Sequence, residues 1–195
     1  LAETLPNAAY PGNVLVVAGS GGNGGDGLYA GAELARAGHH VEAIRVSARI
    51  HERAAAAFEH AGGQFVTKLG DYDLVIDGII GLGGSKGLSD DLAALLARCA
   101  GTPILAIDVP SGINPDTGVP MGAHVTATAT VTFGALRYAH AVSPACGEVV
   151  VGDIGIAPRG SHVQVYRSVG TGRVWPEGLH PIPRIPAIES LEPGP

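Results

Sequence analysis

A chain of 195 residues fits one domain of ordinary size, with or without a tail. With 46% hydrophobic and 15% charged residues it must pack a core, and with aromatics at only 5% that core is mainly Ala, Val, Leu and Ile. A net charge of -6 gives no electrostatic reason to bind nucleic acid or anionic membrane. Cys99 and Cys146 cannot make a multi-bridge scaffold, and no apolar run approaches the roughly 20 residues of a membrane span. A soluble, cytoplasmic domain is expected.

In chain order, Val14–Ala18 reads as a buried strand and Gly19–Asp26 as a glycine-rich loop. Leu28–Ala37 reads as a helix stopped by Gly38, and Val41–Val46 as a second strand. Ser47 is the expected N-cap of a helix Ala48–Ala61, ended by Gly62-Gly63. Gln64–Thr67 is a weak strand candidate and Leu74–Asp77 a better one, which runs into a second glycine-rich loop, Gly78–Gly87. Ser89 caps the next helix, with Asp90 and Asp91 in a first turn whose dipole favours negative charge. Ile104–Ile107 is another buried strand, ending in Asp108-Val109-Pro110-Ser111-Gly112, and Val125–Phe133 and Glu148–Ile154 are the last strands.

Apolar strands alternating with helices predict an α/β fold: a mostly parallel central sheet covered on both faces, in three layers. Ligands of such sheets lie beyond the carboxyl ends of the strands, so the loops 19–26, 78–87 and 108–112 should open onto one edge. Residues 1–170 are expected to form this domain. In 171–195, which holds six prolines from Pro176 to Pro195, neither period survives, and a tail or linker is expected.

The first loop satisfies G-x-G-x-x-G at 19–24, between a strand and a helix. An ordinary dehydrogenase reading is disfavoured, because Asp26 would repel a pyrophosphate at the helix start and Glu42 lies early in its strand. The plain alternative is a tight turn with Asp26 as N-cap, although Asn23 offers a side-chain carbonyl to a ligand or cation. In the second loop, glycines could bring N–H groups close to an anion, with Lys86 either adding charge or simply solvated. Asp77, at a strand end, either caps a neighbouring turn or ligates a cation. Asp108, at the tip of a central strand, is the candidate for acid–base work, with a turn-stabilising role as the alternative. Ser111 lacks a nucleophile elbow and reads as a ligand or cap. Arg137 and His140 lie near the same edge, His39-His40 should face solvent, and both cysteines read as inert thiols.

VLVVAGSGGNGGDGLYAG (14–31), DLVIDGIIGLGGSKG (73–87) and AIDVPSGINPDTG (106–118), followed by TATVTFGAL and GEVVVGDIGI, together resemble the YjeF N-terminal domain family over roughly residues 13–158. The resemblance implies a Rossmann-like sandwich and an NAD(P)H-hydrate epimerase, an isomerase that interconverts the S and R forms of hydrated NADH or NADPH (NADHX and NADPHX). It implies one potassium ion per subunit, held at Asn23, Asp77 and Ser111. Substrate would lie at Gly22, Asn23, Gly24, Gly25 and Asp26, at Gly81, Leu82, Gly83, Gly84, Ser85, Lys86 and Gly87, and at Asp108, which would be the general acid/base. It also implies a homodimer and a dehydratase domain, fused or separate. Gly22 stands where the family usually has Asn, and Arg137 where Lys is common. A non-catalytic binding or scaffolding module on the same fold is the rival reading.

Overall fold

The computed structural model describes residues 12–84, 86–152 and 154–155, together with the backbone of 179–182. The elements are β1 (Asn13–Ala18), α1 (Gly22–Arg36), β2 (His40–Arg45), α2 (Glu52–His60), β3 (Gln64–Phe65), β4 (Leu74–Gly78), α3 (Asp90–Ala97), β5 (Ile104–Ile107), β6 (Ala129–Phe133), α4 (Tyr138–Val142), a 3-10 turn (Pro144–Cys146), β7 (Glu148–Gly152) and β8 (Leu179–Ile182). They form one sheet of order β3-β2-β1-β4-β5-β6-β7-β8. β1 to β7 run parallel, and β8 closes the edge antiparallel to β7.

Alternation along β1 creates the three layers. Val14, Val16 and Ala18 face one side with Leu28 and Leu34 of α1 and Ala54, Ala55 and Phe58 of α2. Leu15 and Val17 face the other, with Leu88 and the half-buried Leu92, Leu95 and Leu96 around α3. A third, small cluster joins Val109 and Ile113, beyond β5, to Ala139 of α4 and to Cys146. That cluster fixes the end of β5 against α4.

Where helices begin differs from the sequence reading. α1 starts at Gly22, so Gly22–Asp26 are its first turns and not a loop, and its N-cap is Gly21, not Asp26. Glycines are needed here for contact: a Cβ on Gly24 would sit 2.0 Å from the carbonyl oxygen of Gly19, and one on Gly27 3.2 Å from Val16 Cγ1. α2 starts at Glu52 instead of Ala48, because the Ser47 hydroxyl folds back on the Arg49 backbone while His51 Nδ1 accepts from the N–H of Ala54. At α3 the Ser89 cap is as expected, its Oγ accepting from Leu92 N–H at 3.4 Å. The strand expected over Val125–Phe133 begins only at Ala129. Within 171–195, expected to lack strands, Leu179–Ile182 pairs with Gly152–Val149. The rest of that segment lies outside the described residues.

Candidate active site

β1 and β4 are neighbours, but their connections leave in opposite directions across the sheet, which makes their carboxyl ends the switch point where a ligand crevice opens. The three loops singled out in the sequence do meet there. The Gly19 N–H donates to the Gly78 carbonyl at 3.0 Å, and Ile80 N–H donates to Ser111 Oγ at 2.9 Å. A Cβ placed on Gly81 would lie 2.9 Å from Asn23 Oδ1 and 3.1 Å from Asp108 Oδ2. Asn23, Gly81 and Asp108 therefore come together from three parts of the chain.

Asn23 sits in the first turn of α1, 8% exposed, and neither its Oδ1 nor its Nδ2 has a hydrogen-bond partner among the described residues. A buried amide left so is unusual, because each unsatisfied polar group costs about 1–3 kcal/mol.

Asp77 is wholly buried at the end of β4. Oδ1 accepts from Ile79 N–H at 3.2 Å and from Ser111 Oγ–H at 2.6 Å, and Oδ2 accepts from Ser111 N–H at 2.8 Å. Asp77 does cap its own turn, and it also staples the loop after β4 to the loop after β5. Burial raises its carboxyl above the usual range, the three bonds oppose that, and one lone pair of Oδ2 remains open.

Asp108 directly follows β5. It is the one described non-glycine residue with positive φ, at 63°. Val109 N–H donates to Ile107 O at 2.9 Å, which makes Asp108 the centre of a γ-turn of the rare, strained hand. No hydrogen bond holds its carboxylate among the described residues, so it does not act as a turn-stabilising side chain. Burial foremost, then the field of Asp26, raises its carboxyl, and Arg137 opposes them. Partial desolvation also raises Asp26, against the pull of His51.

Gly84 N–H closes a turn onto Gly81 O at 3.0 Å, with Leu82 and Gly83 exposed at its tip. Lys86 is exposed, and Ser85 lies outside the described residues. Glu42 is bound by the Tyr72 hydroxyl at 2.5 Å in the first half of β2, away from this rim, which weakens a dehydrogenase-type ribose contact further.

Two histidines shape the site without a signal in their local sequence. His51 lies against Gly25, where a Cβ would come within 2.9 Å of its ring. His140 is 5% exposed and reaches the Asp108 carbonyl with Nε2 at 2.6 Å. Of the pair expected in solvent, His40 is exposed, but His39 is half-buried and accepts from Gly12 N–H at 3.1 Å. Both cysteines are buried, Cys99 in the cluster under α3 and Cys146 in that of Val109 and Ala139.

Strand order and layers together define a Rossmann-like α/β sandwich, with the polar groups of Asn23, Asp77 and Asp108 gathered at its switch point. The chain belongs to the family described as "YjeF-related protein N-terminus", whose sequence model matches residues 2–139. It is 46% identical over 175 residues to a protein of Corynebacterium glutamicum named "Bifunctional NAD(P)H-hydrate repair enzyme Nnr", covering 76% of this chain and 30% of that one. A Microbacterium testaceum protein named "NAD(P)H-hydrate epimerase" is 38% identical over 186 residues, covering 85% of this chain and 72% of the relative. Against the bifunctional relatives the chain spans about a third of their length. The crystal structure of yeast ynu0 superposes with a TM-score of 0.64 at 18% identity, covering 81% of this chain and 77% of that one, a likeness of fold. No helix among the described residues is long and apolar enough to cross a membrane.

Proposed function

We propose that this domain is an NAD(P)H-hydrate epimerase, interconverting the S and R forms of NADHX and NADPHX. The observation that carries the reading is the meeting of a buried amide and an untethered carboxyl, neither with a hydrogen-bond partner among the described residues, against the backbone of Gly81. The names borne by the relatives supply the substrate class.

One route that inverts a hydroxyl-bearing carbon without redox change breaks its C–O bond and re-forms it on the opposite face. Asp108 in its protonated form gives a proton to the leaving hydroxyl, which departs as water. The ring carries the positive charge until water adds to the other face; that water gives up its extra proton to solvent, and Asp108, left as carboxylate, regains one from solvent. A carboxyl raised above its ordinary range suits this, since its acid form persists closer to neutral pH. On this reading Gly22–Asp26 and Gly81–Gly87 would supply the substrate contacts, and Gly81 is the glycine among them at which a side chain would press on both Asn23 and Asp108.

The donor chemistry fits potassium. Asn23 has a side-chain oxygen without a hydrogen-bond partner among the described residues, Asp77 has a wholly buried carboxyl whose ionised form a cation would favour, and Ser111 has a hydroxyl beside it. All are hard oxygen donors. No group of three or more His, Cys, Asp or Glu among the described residues could hold a metal, so nothing there favours a transition ion. Potassium bound at these three residues would offset the Asp77 charge and order the loops that Asp77 staples.

The test mixes purified protein with a single hydrate epimer and follows the epimer ratio by chromatography, with and without potassium. Interconversion well above the buffer rate, stimulated by potassium and lost in Asp108→Asn, is expected. A buffer-level rate for the wild type would remove the epimerase reading in favour of a binding module.

A further inference from the structure

Asp108 is held in its positive-φ turn by groups on two neighbouring elements. Its N–H donates to Val131 O of β6 at 2.7 Å, and its carbonyl receives His140 Nε2 of α4 at 2.6 Å. The other ring nitrogen of His140, Nδ1, accepts from Arg137 N–H at 2.9 Å. That second bond decides the tautomer. A nitrogen facing an amide N–H cannot carry its own proton, so the proton is on Nε2 and is donated to Asp108.

One buried imidazole therefore ties together the backbones of the two residues whose side chains bring opposite charge to the rim, Asp108 and Arg137. The helix that carries it has one turn and is anchored by Ala139 in the cluster with Val109 and Cys146. His140 thus connects the strained turn to a packed support.

We propose that His140 is a positioning residue for the acid–base carboxyl: its neutral, Nε2-protonated ring clamps the Asp108 carbonyl and fixes the spacing between Asp108 and Arg137. This rests on the epimerase reading for its kinetic consequence but not for its geometry. Loss of the clamp lets the turn relax and moves the carboxyl off the reacting carbon, while the binding surfaces of α1 and the 81–87 loop stay in place. It is a loss in kcat and not in KM.

The experiment compares wild type, His140→Leu and His140→Gln in the full chain, with two readouts. In the first, epimerisation by the Leu variant falls about 10–100-fold in kcat, with KM within about twofold, as a displacement of up to an ångström would cause. Gln, which can still offer an N–H to the carbonyl, returns kcat to within about fivefold of wild type. An unchanged kcat in Leu, or Gln as impaired as Leu, overturns the proposal. The second readout needs neither activity nor a variant: the nitrogen-15 shifts of His140 in the wild type must show a protonated Nε2 and a bare Nδ1 at neutral pH. The opposite tautomer overturns the proposal even if the Leu variant fails to fold. A wild type inactive on hydrate with the expected tautomer would sink the epimerase reading alone, and the φ of Asp108 in crystals of the Gln and Leu variants then decides: retained in Gln and relaxed in Leu supports the clamp, and retained in both overturns it.

Discussion

Replacing Asn23 by Leu should stabilise the protein and destroy its activity. The amide is 8% exposed and leaves both polar atoms without a protein partner, so removing it relieves at least one unsatisfied-group penalty of about 1–3 kcal/mol. Leu branches as Asn does but is bulkier, and fitting its two methyls in place of the amide gives back about 1 kcal/mol. Helix preference adds about 0.5 kcal/mol, because position 23 lies inside α1. The net expectation is a gain of about 1–2 kcal/mol, or roughly 3–6 °C in melting temperature for a domain of this size. The assay is thermal unfolding in a potassium-free choline buffer, repeated with potassium chloride, beside the epimer-ratio rate. Potassium should raise the melting temperature of the wild type and leave that of the variant unchanged, and the variant's rate should fall about 100-fold or more. A variant that melts below the wild type in choline buffer, or one that keeps the wild-type rate, would refute the assignment of the amide to a ligand.

The two charges flanking Asp108 should move its kinetic pKa in opposite directions. Asp26 raises that carboxyl, so Asp26→Asn lowers the midpoint of the limb in kcat/KM that it controls; Arg137 lowers it, so Arg137→Gln raises the midpoint. Shifts of the same sign in both variants, read from pH–rate profiles, would show that Asp108 does not control that limb. At the start of α1, Gly24→Ala forces a methyl within 2.0 Å of the Gly19 carbonyl and should cost on the order of 3 kcal/mol or more in urea unfolding. Gly22→Asn, which meets nothing within 4 Å, should alter stability by less than about 0.5 kcal/mol.

The layered, mostly parallel sheet and the shared rim were legible because they follow from patterns that act over a few residues. Apolar runs such as Val14–Ala18 and Ile104–Ile107 have no stable place except a sheet covered on both faces, and parallel crossovers then put the following loops on one edge. The start of α1 was not legible, since a glycine-rich stretch reads as a turn unless one knows what the helix packs against. Gly24 is required by Gly19 and Gly27 by Val16, contacts that local propensity does not register. Ser47 likewise is a sound N-cap by type, but it was already engaged with Arg49. At the site, Asp77 and Asp108 were each open to two readings from residue type alone. Their partners separate them: Ser111, 34 residues away, binds one carboxylate completely enough to make it a staple, whereas nothing holds the other. His140 had a place near the edge but no role, because its function depends on a backbone carbonyl 32 residues upstream.

The Asp77–Ser111 staple has a bearing on how a bulky ligand gets in. Two walls of the crevice, the one that begins at Ile79 and the one that contains Ser111, are riveted through a single buried carboxylate and cannot swing apart without exposing it. The Gly19 amide is likewise latched to Gly78, which denies the β1 wall an independent hinge. Neither bond reaches Leu82 and Gly83, which face solvent at the tip of the turn that Gly84 closes onto Gly81, so the freedom left to the crevice lies in a short stretch of glycine-rich backbone hung on a rigid frame.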